Sequence, residues 1–263
     1  MPSVTVAALA VHPVKSCGAV PVTEATVATT GLAHAGVRDR EWMVVDALGR
    51  FVTQREVPRM ALVAPVLDDG KLALRVPGFA PVALGAHGAS RDVVVWRSHV
   101  RGLDAGDDAA RALSAFLGRD VRLVRFDDEK PRRCNPDYVG TSGATTLFAD
   151  GYPILVVGQA SLDDLNARLA ARALPPVPMD RFRPNVVVAG LEPYDEDHVD
   201  TLTFGDLVLK PVKPCTRCEI TTTDQASARR GVEPLRTLAT YRRDDRLAGV
   251  TFGMNAIVVA GAG

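Results

Sequence analysis

Ala61-Leu62-Val63-Ala64-Pro65-Val66-Leu67-Asp68-Asp69-Gly70-Lys71-Leu72-Ala73-Leu74-Arg75-Val76 decides the fold class. Two apolar runs, residues 61–67 and 71–76, flank Asp68-Asp69-Gly70, and an acidic residue followed by glycine between such runs signals a β-hairpin turn. The pattern repeats on either side. Residues 42–46 and 51–53 flank Ala47-Leu48-Gly49-Arg50 as a second hairpin. Residues 4–14 read as a strand closing in the turn His12-Pro13, residues 20–28 alternate as another strand, and residues 31–36 connect onward. With a short β-run over 91–96, the first hundred residues predict a small antiparallel barrel or sandwich.

The first helix is expected over 107–117. Ala110, Leu113, Phe116 and Leu117 supply its apolar stripe, acids open it, and Gly118 stops it. Residues 121–126 follow as a strand. From 127 to 143 the chain turns polar, and the domain boundary is placed there, giving domains 1–127 and 128–263. In the second half, 154–157 reads as a strand, and Ser161 caps a helix to about residue 171 with Asp163 and Asp164 in its first turn. Residues 183–188, 202–211, 221–223 and 250–259 add β-structure. The fold class is mostly β (α+β) with a few helices.

Composition narrows the function. The 263 residues are 47% hydrophobic and 24% charged, which excludes disordered and fibrous classes. Thirty-one basic residues balance thirty-one acidic ones, so no global field draws the protein to nucleic acid or to acidic membranes. No apolar run reaches the ~18 residues of a membrane span, and the first ten residues lack the basic start of a secretory signal. Four cysteines are too few for a disulfide scaffold, so a reducing cytoplasm is the expected location. No P-loop, dinucleotide GxGxxG, GxSxG elbow or HExxH helix is present.

Pro214-Cys215-Thr216-Arg217-Cys218 is the most informative stretch for chemistry. Two thiols three apart suit a metal, a redox disulfide, two core positions, or one reactive thiolate beside Arg217. No second Cys or His pair stands at zinc-finger spacing, and the β-prone Glu219-Ile220-Thr221-Thr222-Thr223 does not suit a thioredoxin-like helix start. Polar groups also gather where strands end, at Val14-Lys15-Ser16-Cys17, Arg38-Asp39-Arg40-Glu41-Trp42 and Arg183-Pro184-Asn185. Lys15, Arg40 and Arg183 beside apolar strands suit a phosphate or carboxylate pocket, or are solvated loop charges. Asp127-Asp128-Glu129 and Asp195-Glu196-Asp197 read as solvated acidic loops, and His12 as structural.

Together, His12 to Cys17, Arg38 to Trp42, Arg183-Pro184-Asn185 and Cys215 to Cys218 resemble the MOSC family of molybdenum cofactor proteins. The resemblance is to the branch of the amidoxime-reducing components, with an N-terminal MOSC-associated β-barrel joined to a MOSC β-barrel. Residues 54–58, 161–166, Phe204-Gly205-Asp206 and Glu233-Pro234-Leu235 extend it over nearly the whole chain.

The resemblance implies that Cys218 ligates molybdenum and that Lys15, Ser16, Arg40, Arg183 and Asn185 hold the pterin, with Thr216 and Arg217 close to the metal. It places Asp150 beside the metal as a candidate proton relay. It departs at Gly151 and Tyr152, where the branch carries small hydroxyl residues, and at Gly263, where the chain ends without an expected Gly-Asp-containing strand. The implied activity is reduction of small N-hydroxylated compounds (hydroxylamines, amidoximes, N-hydroxylated bases). Electrons are expected from an external iron–sulfur or flavin protein, because no ferredoxin cysteines follow Cys218. Two other roles stay open: a sulfur carrier with a persulfide on Cys215 or Cys218, and a cofactor carrier without turnover.

Overall fold

Strands dominate the computed structural model, which describes residues 4–68, 71–85, 88–129 and 131–263. The largest sheet runs in the order Leu202–Phe204, Leu207–Arg217, Gly249–Ala260, Ile154–Gly158, Val186–Ala189, Thr5–Val11 and Val20–Val22, with Arg243–Asp244 also paired to Gly249–Ala260. Its central strands are continuous apolar runs because both faces are covered. Ile154, Val156, Val186 and Val188 point into one core with Val11 and Leu209, and Leu155 and Val157 into a second with Phe182 and Phe252.

Ile154–Gly158 and Val186–Ala189 are parallel. A parallel pair needs a crossover, which here contains the helix Gln159–Ala170. Leu162, Leu165 and Leu169 bury its apolar face. This helix begins two residues before the expected cap. Ser161 lies within the first turn, fully buried, and donates to Glu196 Oε2 at 2.7 Å while accepting from the Tyr194 amide at 2.8 Å.

The strand Thr5–Val11 pairs antiparallel with Val186–Ala189. The N-terminal strand thus lies in a sheet built mainly by the second half of the chain. Its end delivers residues 12–18 to the segment 183–185.

The rest of the first half forms smaller sheets. Ser90–Val95, Ser98–Asp104, Val121–Phe126 and Trp42–Asp46 make a four-stranded antiparallel sheet. The helix Asp107–Leu117 packs Leu113, Phe116 and Leu117 into the core shared with Val44 and Leu123. Its acidic start and the left-handed Gly118 (φ 71°) stand where the sequence puts them. Ala64–Asp68 and Lys71–Arg75 form the deciding hairpin, joined by Val82–Ala83; its turn residues 69 and 70 lie outside the described residues.

Several expectations are corrected. Residues 20–28 are two strands, Val20–Val22 and Thr26–Ala28, in different sheets, and Gly31–His34 is a strand rather than a connection. Residues 61 and 62 belong to the 3-10 turn Pro58–Leu62. The segment 127–143 carries Arg132–Arg133, paired with Thr145–Thr146, and the short helix Pro136–Val139. Residues 221–223 are not a strand, because Glu219–Thr222 is a 3-10 turn closed by Thr221 and Thr222 hydroxyls on the carbonyls of Cys218 and Glu219. Among the described residues, no helix is long and apolar enough to cross a membrane.

Candidate active site

One pocket gathers Lys15, Ser16, Arg40, Asp150, Arg183, Asn185, Thr216, Arg217 and Cys218, together with Arg55, Tyr152 and Cys215. Every residue selected from the sequence lines it. The pocket forms because four chain segments leave their strands at the same place. Residues 14–18 follow Thr5–Val11, residues 183–185 precede Val186–Ala189, residues 215–218 end Leu207–Arg217, and residues 148–152 precede Ile154–Gly158.

Ser16 (φ 63°), Arg40 (φ 47°) and Arg183 (φ 56°) all adopt left-handed backbone. For residues with a Cβ this conformation costs about 1–2 kcal/mol each, and such strain persists where surrounding contacts fix the geometry, commonly at functional sites.

Asn185 organises the pocket floor. Its Oδ1 accepts from the Leu155 amide (3.1 Å) and from Arg40 Nη1 (3.0 Å), while its Nδ2 donates to Asp39 Oδ1 (2.8 Å) and to the Ala10 carbonyl (3.3 Å). Arg40 is held further by Asp39 Oδ2 (2.5 Å) and the Arg183 carbonyl (3.2 Å). His12 Nε2 donates to the Pro184 carbonyl (3.1 Å), and burial, reinforced by Arg40 and Arg183, pushes its pKa far down. The imidazole stays neutral and structural.

Lys15 is 5% exposed at its side chain; its Nζ donates to the Phe148 carbonyl (2.8 Å) and to Asp150 Oδ1 (2.5 Å). Burial pulls the ammonium pKa down, and Asp150 restores part of it. Partial desolvation at the pocket pushes the Asp150 carboxyl up, but Lys15 outweighs that effect and holds it well below the usual carboxylate range. Asp150 is therefore ionised at neutral pH. Its side chain is 64% exposed, open toward the pocket.

Arg183 donates through Nη1 to the Cys17 carbonyl (2.5 Å), while its buried Nη2 has no partner. Burial, with Arg40 beside it, brings its pKa down to about 10. Arg217 donates to the Phe182 carbonyl (2.6 Å) and to Cys215 Sγ (2.9 Å), and its buried Nε is also unpartnered. A buried donor left without an acceptor costs roughly 1–3 kcal/mol. Among the described residues, five cations, Lys15, Arg40, Arg55, Arg183 and Arg217, surround the pocket with Asp150 as its one lining carboxylate. The site is built for an anion.

The cysteines divide into two classes. Cys17 and Cys134 are buried, and burial pushes their thiols up to about 12 and about 11. Cys215 and Cys218 are half-buried and line the pocket, with Cys215 also packed against the core of Phe182 and Phe252. Among the described residues no group of three or more His, Cys, Asp and Glu side chains could hold a metal, so a metal here needs ligands from outside the chain.

Comparison with known proteins decides the family. Residues 3–120 match the MOSC N-terminal beta barrel domain, and residues 144–261 match the MOSC domain. The chain belongs to the MOSC family. It is 37% identical over 254 residues to mitochondrial amidoxime reducing component 2 of Rattus norvegicus, covering 92% of this chain and 73% of that protein. It is 36% identical over 251 residues to mitochondrial amidoxime-reducing component 1 of Homo sapiens, again with 92% and 73% covered.

Within this MOSC pocket, sequence reasoning missed Arg55 as a lining residue and Trp96, whose Nε1 donates to Asp150 Oδ1 at 3.0 Å. In the sequence, the stretch containing Arg55 signals only a resemblance to the family. Trp96 sits in a hairpin turn, where no local pattern links it to a residue 54 positions away.

Proposed function

We propose that this MOSC protein is a molybdenum cofactor-dependent reductase of small N-hydroxylated compounds. The observation that carries the reading is a half-buried thiol, Cys218, facing a strained, cation-lined pocket that has unpartnered buried donors and, among the described residues, no complete protein metal site. That donor set fits an anionic cofactor that brings its own metal ligands, since a soft thiolate suits a thiol-bound transition metal.

Cys218 would be the protein ligand. Arg183 and Arg217 have free donors for the cofactor's phosphate and polar edge, Lys15 and Ser16 flank it, and Thr216 stands at the rim. Arg40 and Asn185 contribute mainly by fixing these neighbours. The cofactor, when bound, supplies two-electron oxygen-atom chemistry.

The net reaction breaks the substrate N–O bond and forms N–H, consuming two electrons and two protons as oxygen leaves as water. Lys15 and Asp150 act on the proton side. Lys15 Nζ holds a proton 2.5 Å from Asp150 Oδ1, and the open side of Asp150 admits resupply from solvent. Electrons come from a separate iron–sulfur or flavin protein. The proposed boundary at 127/128 is compatible with the gap, residues 121–143, between the two domain matches. The four free thiols support a reducing compartment.

The test is direct. Protein from a molybdopterin-competent host should carry about one molybdenum per chain, release a fluorescent pterin on oxidation, and reduce benzamidoxime with a reduced dye as donor. Zinc at that stoichiometry without pterin overturns the reading. A second reading, sulfur carriage, draws on the Arg217 guanidinium at 2.9 Å from Cys215 Sγ; cyanide-labile sulfur in place of molybdenum would favour it.

A further inference from the structure

Trp96 occupies a costly position. It turns the hairpin between Ser90–Val95 and Ser98–Asp104 with φ 55°, a backbone that bulky residues rarely adopt, and it is 45% exposed. The core has no use for it there. Two of its three contacts, Asp150 and Arg55, line the pocket, and the third, Phe51, anchors it to the neighbouring core. Nε1 donates to Asp150 Oδ1 (3.0 Å), the Arg55 guanidinium lies 4.7 Å over its ring, and Phe51 packs at 5.0 Å.

These contacts leave two interactions unfilled. Asp150 takes both donors, Lys15 Nζ and Trp96 Nε1, on Oδ1; among the described residues no donor reaches Oδ2. Arg55 lines the same pocket, and among the described residues its guanidinium has no carboxylate partner and no side-chain hydrogen bond. Its guanidinium lies over the Trp96 ring, with the Asp150 carboxylate near enough to feel its charge. A stacked guanidinium still offers its in-plane N–H edge and its other face.

We infer that Arg55 and Trp96 form the substrate-recognition wall of the pocket, selecting planar N-hydroxylated substrates that carry an amino group on the same conjugated carbon. An amidoxime has this shape. Its amino group donates to Asp150 Oδ2, its oxygen accepts from the in-plane N–H edge of Arg55, and its plane lies level with the guanidinium held over Trp96. An N-alkylhydroxylamine keeps an N–H and an oxygen but has no second nitrogen and no conjugated plane. Arg55 touches substrate; Trp96 is a positioning residue that holds Arg55 and Asp150 in register. The inference deepens the reductase reading and rests on it.

The experiment uses molybdenum-loaded wild type, Trp96→Phe and Arg55→Lys, with benzamidoxime and an N-alkylhydroxylamine as probes. Trp42, the only other tryptophan, is 4% exposed in the core, so intrinsic fluorescence reports on Trp96. Benzamidoxime should quench wild-type fluorescence saturably, and Trp96→Phe should lose the response. Arg55→Lys, which keeps the charge but not the plane, should weaken Kd at least five-fold. In both variants the ratio of kcat/KM for benzamidoxime to that for the hydroxylamine should fall at least five-fold, mostly through KM.

An unchanged Kd and ratio in Arg55→Lys overturns the inference, even if Trp96→Phe fails to fold. Molybdenum content falling in step with binding also overturns it, because Arg55 would then be holding the cofactor's anion. If wild type reduces neither probe, the reductase reading fails, and the titration still decides the wall by saturable quenching or none.

Discussion

Lys15 Nζ and Asp150 Oδ1 meet at 2.5 Å although 135 positions separate them in the chain. The ammonium is almost fully buried and the carboxylate is open, so the pair joins the end of the N-terminal strand to the rim of the pocket. The carboxyl's pKa is depressed in the folded state; partial desolvation opposes that shift and the Lys15 charge overrides it. A depressed acid stabilises the fold fully above its unfolded value, near 3.9, and loses that contribution as pH falls toward the folded value. The urea midpoint of wild type should therefore exceed that of Asp150→Asn by a constant margin from pH 7 to about 5. The margin should shrink below about pH 4. A margin that instead grows on acidification would show that the pair is not formed.

Strain and charge can be separated at Arg183, which combines φ 56° with a buried, unpartnered Nη2. Arg183→Ala and Arg183→Gly both remove the guanidinium, but only glycine adopts left-handed backbone freely. Both variants should lose most of their molybdenum on gel filtration. In cofactor-free form Arg183→Gly should be more stable than Arg183→Ala by about 1 kcal/mol, read as a higher Tm. Equal molybdenum retention in wild type and both variants would return Arg183 to a loop charge.

Asn185 predicts a stability effect first. It is 1% exposed, and its amide serves Arg40, Asp39, Leu155 and Ala10 together. Asn185→Ala leaves buried partners unpaired at roughly 1–3 kcal/mol each, so the urea midpoint should fall even in cofactor-free protein. Asn185→Asp should rescue little, because it places a second carboxylate beside Asp39. A variant that loses cofactor without losing stability would mean that Asn185 contacts the ligand rather than the scaffold.

The elements legible from sequence were those whose determinants are local. The helix Asp107–Leu117 carries its acids, its stripe and its stop at Gly118 within twelve residues, and it folds where expected. Ser98–Asp104 was not visible, because its more buried face carries Ser98, Gly102 and Asp104 beside a single apolar Val100, so no apolar alternation shows. The pairing of Thr5–Val11 with Val186–Ala189 was equally hidden, since nothing in either segment encodes a partner about 180 residues away. The site follows the same division. Lys15, Arg40, Arg183 and Cys218 stood out as polar groups at strand ends, and the family resemblance joined them. The left-handed backbone at Ser16, Arg40 and Arg183 left no mark, because these residue types do not ordinarily signal positive φ. Arg55 and Trp96 escaped because their importance lies in contacts with each other and with Asp150.

The central claim is that Cys218, and not its neighbour Cys215, is the metal ligand of a working reductase. Both thiols line the pocket, but Cys215 Sγ already accepts from Arg217 at 2.9 Å, whereas no hydrogen bond engages Cys218 Sγ among the described residues. The decisive measurement is benzamidoxime turnover with a chemical reductant, normalised to molybdenum content, in Cys218→Ala and Cys215→Ala. Cys218→Ala should lose at least 100-fold in turnover per molybdenum, about 2.7 kcal/mol, while retaining part of its cofactor through Arg183 and Arg217. Cys215→Ala should keep most of its metal and turn over within a few-fold of wild type. Equal loss in both variants would point to a disulfide or persulfide pair, and retained turnover in Cys218→Ala would contradict the account outright.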